Sequence, residues 1–218
     1  MANIHNWEIH QTDVKIAFLQ GKLEDEIYMK QPEGYVDQEK KNYVYRLKKS
    51  IYGLKQAARC WNSEIDKFLL SNEYRKSNAD SCVYIKSIKR KNGKIDFVIL
   101  ALYVDDILWF SNCTDMLTKE KRSLAKRFKV EHVSEVGYIL GMSIKRNRQT
   151  KTLSISQSQY LLGVQKRFGM DESKPVSTPL DTSKKFVSLS DNEKPVDVQK
   201  YQMAIGCLTY ATVAARQT

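Results

Sequence analysis

The sequence predicts an α+β fold in which an antiparallel sheet is backed by helices. The first observation is the apolar run from Ile95 to Ser111, IDFVILALYVDDILWFS, which Asp105 and Asp106 interrupt in its interior. Strand-favouring residues on both sides of two acids are typical of two antiparallel strands joined by a tight turn. The second observation is that the predicted strands and helices follow one another without the regular alternation of a parallel sheet.

The N-terminal part of the chain supplies a strand, a polar connection and a helix. Residues Trp7 to Leu19 alternate and then become apolar around Asp13, which favours a buried strand or a strand-to-helix corner. Residues 21–37 are polar and contain Pro and Gly, as in a loop or small hairpin, and Tyr43–Leu47 is predicted as a short strand. The apolar residues within Lys55–Leu70 recur at helical spacing and predict a helix with one face in the core.

The rest of the chain continues the mixed order. A second hairpin is predicted around Asn92-Gly93, because this dipeptide favours tight turns between strands. The remaining predicted elements are a strand at Ser81–Ile88, a helix at Thr114–Phe128, a strand pair at Tyr138–Lys145 and Thr152–Ser156, and helices at Gln157–Phe168 and Gln199–Ala215.

Composition limits the class of protein. The formal charge of +11 suits binding to a polyanion, and a lysine-rich solvated exterior is the alternative that charge alone leaves open. No run approaches eighteen apolar residues and the N-terminus has no charged-then-apolar leader, so we expect an intracellular protein with no membrane partner. The four cysteines share no paired spacing, which favours neither zinc nor disulfides, and we expect them in the core.

Three acids are embedded in strongly apolar, strand-like segments: Asp13, Asp105 and Asp106. Adjacent carboxylates in an apolar hairpin repel each other unless a positive charge offsets them, and a divalent cation such as magnesium is the usual partner. The other interpretation is that the Asp pair only forms a turn. If the Asp13 strand lies beside the hairpin, three carboxylates can hold two magnesium ions for nucleotidyl transfer.

Several blocks of sequence carry a resemblance to a known family. YVDD at Tyr103–Asp106 resembles the signature of reverse transcriptases. The blocks TDVKIAFLQGKLEDEIYMKQPEGY, LKKSIYGLKQAARCWN, YILGMSIK, SQSQY and STPL resemble successive parts of the copia-type LTR-retrotransposon polymerase. They keep their order and cover nearly the whole chain, which is the context that a short motif needs.

The resemblance implies part of a right-hand polymerase, with a palm and partial fingers at 1–171, a linker or crossover at 172–198, and a truncated thumb helix at 199–218. It implies an RNA-directed DNA polymerase that uses a primed RNA or DNA template, dNTPs and two Mg²⁺ ions, with Mn²⁺ as a substitute. Other parts of the Pol polyprotein are further expected partners, and the cytoplasm, in virus-like particles, or the nucleus is the expected location.

The resemblance also assigns roles to individual residues. Asp13, Asp105 and Asp106 match the catalytic metal ligands, and Phe18 matches an aromatic that excludes the sugar 2′-hydroxyl, although core packing is its alternative interpretation. Gln56 matches a position that contacts the incoming nucleotide, and Lys55 and Arg59 in the same helical turns could contact phosphate. The positions expected to contact primer and template are Tyr103, Gly141 and Met142.

The chain also departs from the family pattern. It begins a few residues before Asp13, so we expect the finger strands that hold the triphosphate to be missing, and it ends before the Arg-Pro-Asp sequence expected in the thumb. It has no room for a ribonuclease H domain, an integrase or a protease. The alternative function is therefore a catalytically inactive retrotransposon remnant that binds nucleic acid through its basic surface.

Overall fold

The computed structural model describes residues 1–133, 135–178, 183 and 197–215. The chain forms two compact units, Met1–Val136 and Gly137–Thr218. The domain limits predicted from the sequence, after residues 171 and 198, remain a prediction, because most of 172–198 lies outside the described residues.

The first unit contains most of the strands. Its strands are β1 Glu8–Val14, β2 Tyr28–Lys30, β3 Val44–Arg46, β4 Arg75–Lys76, β5 Val83–Lys89, β6 Ile95–Tyr103, β7 Asp106–Ser111 and β8 Val130–Val133. Its helices are α1 Ala17–Gln20, α2 Ala57–Ser71 and α3 Thr114–Arg127, with a short 3-10 helix at Gln38–Lys40. The second unit contains β9 Tyr138–Ile139, β10 Met142–Asn147, β11 Thr152–Ser156, α4 Ser158–Arg167 and α5 Val198–Ala215.

A six-stranded antiparallel sheet organises the first unit, in the order β4-β5-β6-β7-β1-β8. The central hairpin of β6 and β7 forms where the apolar run predicted it, and the strand that carries Asp13 lies beside it. The α+β class with an antiparallel sheet is therefore confirmed. Strand β8 at the edge of this sheet was not predicted.

One face of this sheet holds the core of the first unit. Leu100, Leu102, Ile107 and Trp109 point to this face, because side chains alternate along a strand, and each is almost fully buried. The helical spacing in α2 places its buried side chains, Trp61, Ile65 and Leu69, in the same cluster, together with Leu117 and Leu124 of α3. Burial of these large side chains fixes which strand face points towards the helices.

The second unit corrects one prediction. Residues 138–145 do not form one strand, because the chain reverses between β9 and β10, and Met142 pairs with Ile139. Leu140 and Gly141 both have positive φ angles, 49° and 74°, as in a two-residue hairpin turn. The sequence pattern did not indicate this turn, because the residues before and after it are apolar and resemble one continuous strand.

Helix α5 forms where it was predicted, and its Tyr210 hydroxyl donates a hydrogen bond to the carbonyl of Leu140. The rings of Tyr160 and Tyr210 pack edge to face with centroids 5.1 Å apart. Within the described part of the chain, no helix has both the length and the apolar character needed to cross a membrane.

The cysteines are less buried than the sequence suggested. Cys82 is exposed, and Cys60, Cys113 and Cys207 are half-buried, so the expectation of core positions was wrong for Cys82 and only partly met for the others. Cys82 lies next to β5, where its backbone amide bonds to Asp80 and its carbonyl to the amide of Leu102. Backbone pairing rather than thiol packing therefore holds this position.

A buried ion pair joins the sheet to α3. The Lys86 ammonium in β5 donates to the Glu120 carboxylate at 2.9 Å, and only 8% and 5% of the two residues is exposed. Lys86 also lies over the Tyr74 ring, 5.6 Å from its centroid. Two buried charges are tolerated here because each satisfies the other.

Removing one partner of this pair should destabilise the fold strongly. We expect Glu120→Gln to lower the free energy of unfolding by about 3 kcal/mol, because it leaves the buried Lys86 ammonium with only the more distant, exposed Glu73 carboxylate, 3.7 Å away. The double variant Lys86→Met/Glu120→Leu should recover most of that loss. Urea unfolding of the three chains measures both effects, and equal stability of the single variant and the parent would contradict the expectation.

Candidate functional site

A row of four side chains crosses the sheet on the face opposite the core. Tyr103 in β6 pairs with Asp106 in β7, Asp106 pairs with Asp13 in β1, and Asp13 pairs with Glu131 in β8. Residues directly opposite in antiparallel strands share a face, with Cβ atoms about 5 Å apart. The structure therefore brings two of the predicted acids together, and adds a third acid that the sequence did not indicate.

Asp105 lies in the turn between β6 and β7, next to this row. Its backbone carbonyl accepts a hydrogen bond from the amide of Val14 at 2.8 Å, which ties the turn to the end of β1. On the other side of β1, the amide of Lys15 donates to the carbonyl of Lys129 at 2.9 Å. The end of β1 is thus held between its two neighbours, with Asp13 in the middle.

Asp106 is an acid whose pKa is perturbed by its surroundings. Partial burial raises the pKa of its carboxyl, and the nearby carboxylates of Asp105 and Asp13 raise it further. The Gln11 side-chain amide opposes this effect by donating to Asp106 Oδ1 at 2.9 Å. This is the electrostatic signature of a site where a bound cation would relieve repulsion.

Lys15 supplies a positive charge at the other end of the row. Its ammonium lies 3.4 Å from Asp13 Oδ1 and forms an ion pair with Glu131 Oε2. Hydrogen bonding to Glu131, and then to Asp13, raises the pKa of Lys15, and Lys15 lowers the pKa of Glu131 in turn. The chain itself therefore provides a counter-ion for Asp13.

The donor set suits a divalent cation in its chemistry, since carboxylate oxygens are the ligands that magnesium prefers. In the side-chain arrangement described, however, Asp13 points to Lys15 and Asp106 accepts from Gln11. Within residues 1–133, 135–178, 183 and 197–215, no three His, Cys, Asp or Glu side chains stand at the spacing of a metal site. Binding of a cation would require these carboxylates to turn towards each other.

A cavity of about 450 Å³ adjoins the turn. Phe18, Arg59 and Trp61 line it together with Tyr103 and Val104. Phe18 is half-buried against the core, and its ring centroid lies 4.7 Å from that of Tyr52, which is 55% exposed. Phe18 therefore has both the packing contact and the exposed edge that its two interpretations required.

Gln56 and Lys55 are placed differently from Phe18. Gln56 is the residue before α2 and lines a separate cavity of about 690 Å³ with Lys22 and Glu64, which Arg59 also borders. Lys55 is exposed in the preceding turn. The structure thus brings Arg59, but not Gln56, to the cavity beside Tyr103.

Gly141 and Met142 belong to the second unit. Gly141 occupies the turn between β9 and β10 with φ of 74°, a conformation that favours glycine, and Met142 begins β10. A Cβ at residue 141 would lie 3.8 Å from the rings of Tyr160 and Tyr210, which is ordinary contact. Backbone conformation rather than crowding therefore explains the glycine.

Sequence reasoning missed several residues of the site. Gln11 carried a usable signal, because it lies two residues before Asp13 and so shares its strand face. Lys15 also follows Asp13 at a spacing of two. Tyr52 and Glu131 gave no signal, since one lies in a turn and the other in a four-residue strand that has no periodic pattern.

Comparison with known proteins gives a consistent match. Residues 1–182 match the family described as reverse transcriptase (RNA-dependent DNA polymerase). The chain is similar to the retrovirus-related Pol polyprotein from transposon TNT 1-94 of Nicotiana tabacum, with 44% identity over 96% of the chain. It is also similar to the Pol polyprotein from transposon RE2 of Arabidopsis thaliana, with 40% identity over 94% of the chain.

A third similar protein is a putative Ty5-1 transposon protein of Saccharomyces cerevisiae, 29% identical over 94% of the chain and 64% of its own length. The chain spans 16% of the Nicotiana tabacum polyprotein and 14% of the Arabidopsis thaliana one. No solved structure matches the chain.

The partial burial of the Asp106 charge, together with repulsion from Asp105 and Asp13, predicts a stabilising substitution. Without divalent metal at pH 7, we expect Asp106→Asn to raise the thermal unfolding midpoint, because it removes a partly buried charge beside two other carboxylates and keeps the oxygen that accepts from Gln11. Thermal unfolding in a chelating buffer measures the change. Asp25→Asn, at an exposed acid, is the matched control, and a lower midpoint for Asp106→Asn alone would contradict the electrostatic interpretation.

Proposed function

Because the chain belongs to the reverse transcriptase (RNA-dependent DNA polymerase) family, we propose that it carries the nucleotidyl-transfer site of a copia-type retrotransposon Pol polyprotein. The observation that supports this most directly is the register of the central sheet, which sets Asp13 opposite Asp106 with Asp105 in the adjoining turn. The reaction would be in-line attack of a primer 3′-hydroxyl on the α-phosphate of a dNTP.

In this proposal the three carboxylates bind divalent cations. Asp13 and Asp105 are the direct ligands, and Asp106 supports them from the adjacent position. Two magnesium ions, or manganese in their place, would activate the primer hydroxyl and neutralise the triphosphate when bound. The ammonium of Lys15 would leave Asp13 and keep its ion pair with Glu131, which frees the Asp13 carboxylate without losing the lysine's counter-ion.

The cavity beside the turn is the proposed nucleotide pocket. Tyr103 and Phe18 share its lining. By family membership, the Phe18 ring would contact the 2′ position of a sugar bound near the carboxylates. Arg59 borders the same space and is available for phosphate. Lys55 and Gln56 would act from the start of α2, where the second cavity opens.

The polymerase regions are proposed by family membership. Residues 1–171 correspond to the palm with partial fingers, and α5 corresponds to the start of the thumb. The turn at Gly141 and Met142 is the proposed primer grip, since a glycine lets backbone approach nucleic acid closely. The proposed partners are a primed RNA or DNA template and other parts of the Pol polyprotein, in virus-like particles of the cytoplasm or in the nucleus.

The second candidate function is nucleic-acid binding without catalysis. The surface of α3 favours it, because Lys119, Arg122 and Lys126 border one open cavity of about 580 Å³ with few acids around it. Binding of this kind depends on phosphate contacts and weakens steeply with salt. It requires none of the three carboxylates.

Primer extension separates the two candidates. With magnesium, a primed homopolymer RNA template and the matching dNTP, we expect Asp105→Asn to lower incorporation by about 100-fold or more, because lost stabilisation of transition-state charge has effects of this size. Asp13→Asn should behave alike. Repeating the assay with manganese tests whether the softer ion restores turnover.

The control is Asp171→Asn, which removes an exposed acid of the second unit and should leave incorporation unchanged. Salt-dependent binding of the template, measured on the same variants, should not fall. Template binding with no incorporation by the parent chain would favour the inactive remnant, and incorporation that survives Asp105→Asn would refute the catalytic assignment.

Phe18 sets a second test of the proposal. We expect Phe18→Ala to raise the ratio of ribonucleotide to deoxyribonucleotide incorporation by about tenfold or more. Removing a side chain that crowds the 2′ position should lower the discrimination against ribonucleotides by about 1–3 kcal/mol. The measurement compares kcat/KM for matching rNTP and dNTP. Tyr52→Ala removes the neighbouring ring and is the control, and an unchanged ratio in Phe18→Ala would show that Phe18 only packs the core.

A further inference from the structure

The turn that carries Asp105 has a strained backbone. Val104, the first residue of the two-residue connection between Tyr103 and Asp106, has φ of 54°. This left-handed conformation is unfavourable for a β-branched residue, and hairpin turns with positive φ normally take glycine there. The side chain of Val104 is 42% exposed, so burial of its methyl groups does not explain the conformation.

A buried tryptophan contacts this turn from the core. The indole N–H of Trp61, in α2, donates a hydrogen bond to the carbonyl of Val104 at 2.5 Å. Trp61 is 2% exposed, and its ring packs edge to face on Phe128 with centroids 5.2 Å apart. Core packing therefore fixes the position of the indole N–H independently of its hydrogen bond to the turn.

We infer that Trp61 is a positioning residue that holds the Val104 peptide in its strained conformation and so sets the orientation of Asp105 and Asp106. A carbonyl that lost this donor would be free to rotate, and Val104 would relax towards negative φ. Rotation at Val104 moves the next residue, Asp105, whose carbonyl accepts from the Val14 amide on the strand of Asp13. The inference deepens the proposed function, because it names what aligns the two sides of the carboxylate site.

The first test needs neither metal nor activity. In Trp61→Phe, which keeps an aromatic ring but removes the N–H, we expect the Val14 amide to exchange with deuterium about 3- to 10-fold faster than in the parent, the range for one lost hydrogen bond. The matched control is Tyr84→Phe, which removes the donor of another fully buried aromatic side chain in the same core; its hydroxyl donates to Asp66 Oδ1 at 2.9 Å, and it lies on β5, away from β1 and β7. Equal acceleration in both variants would indicate general loosening and overturn the inference.

A rescue variant tests the strain directly. Glycine adopts positive φ without steric cost, so in Trp61→Phe/Val104→Gly the turn should keep its shape without the indole, and Val14 exchange should return to within about twofold of Val104→Gly alone. If the double variant exchanges as fast as Trp61→Phe, the inference fails. Val104→Gly alone leaves the core unchanged and keeps the strain testable if Trp61→Phe does not fold: we expect it to raise the thermal unfolding midpoint, and a lower midpoint would overturn the inference.

The link to catalysis has its own readouts. Trp61→Phe should weaken Mn²⁺ binding by about 3- to 10-fold, as measured by the electron paramagnetic resonance of the free ion. It should also lower kcat, with a smaller change in the KM for the nucleotide. The Val104→Gly background should remove both differences. Faster Val14 exchange with unchanged Mn²⁺ affinity would separate a role in the turn from a role in the site, and would refute the alignment of the carboxylates while leaving the proposed function standing.

Discussion

The pairing of β1 with β7 is the constraint on which the site depends. A slip of one residue in this register would turn Asp13 towards the core and Thr12 towards the site, because side chains alternate along a strand. The core opposes such a slip, since Trp109 on β7 donates from its buried indole to Thr12 on β1 at 3.0 Å. The same packing that stabilises the sheet therefore aligns the two carboxylates on its other face.

Charge at the site is partly compensated by the chain itself. Gln11 donates to Asp106, and Lys15 neutralises Asp13 from the side of Glu131. Without these partners, three carboxylates on neighbouring backbone positions would repel one another through partly buried space. The compensation is incomplete, since burial and the two neighbouring carboxylates still raise the pKa of Asp106.

Two residues with strained backbone conformations lie at the end of the sheet that carries Asp13 and Asp105. Ile16, just beyond Asp13, and Val104, just before Asp105, both have positive φ although both are β-branched. Strained conformations persist only where the surrounding structure determines them, and they occur preferentially at functional sites. Here α1 and α2 provide that surrounding structure: Ser50 and Gly21 bond to the Phe18 carbonyl, and Trp61 bonds to Val104.

The amino-acid pattern was enough to predict the β6–β7 hairpin, helix α2 and the three acids that lie in apolar segments, because periodicity and isolated charge are local properties. It did not show β8, the turn at Leu140 and Gly141, or Glu131, since short strands and apolar turns leave no pattern. The pairing of Glu131 with Asp13 and the hydrogen bond from Trp61 to Val104 depend on how the chain packs. Such contacts join residues far apart in the chain, so they arise only when the packed core selects one register and one angle between helix and sheet.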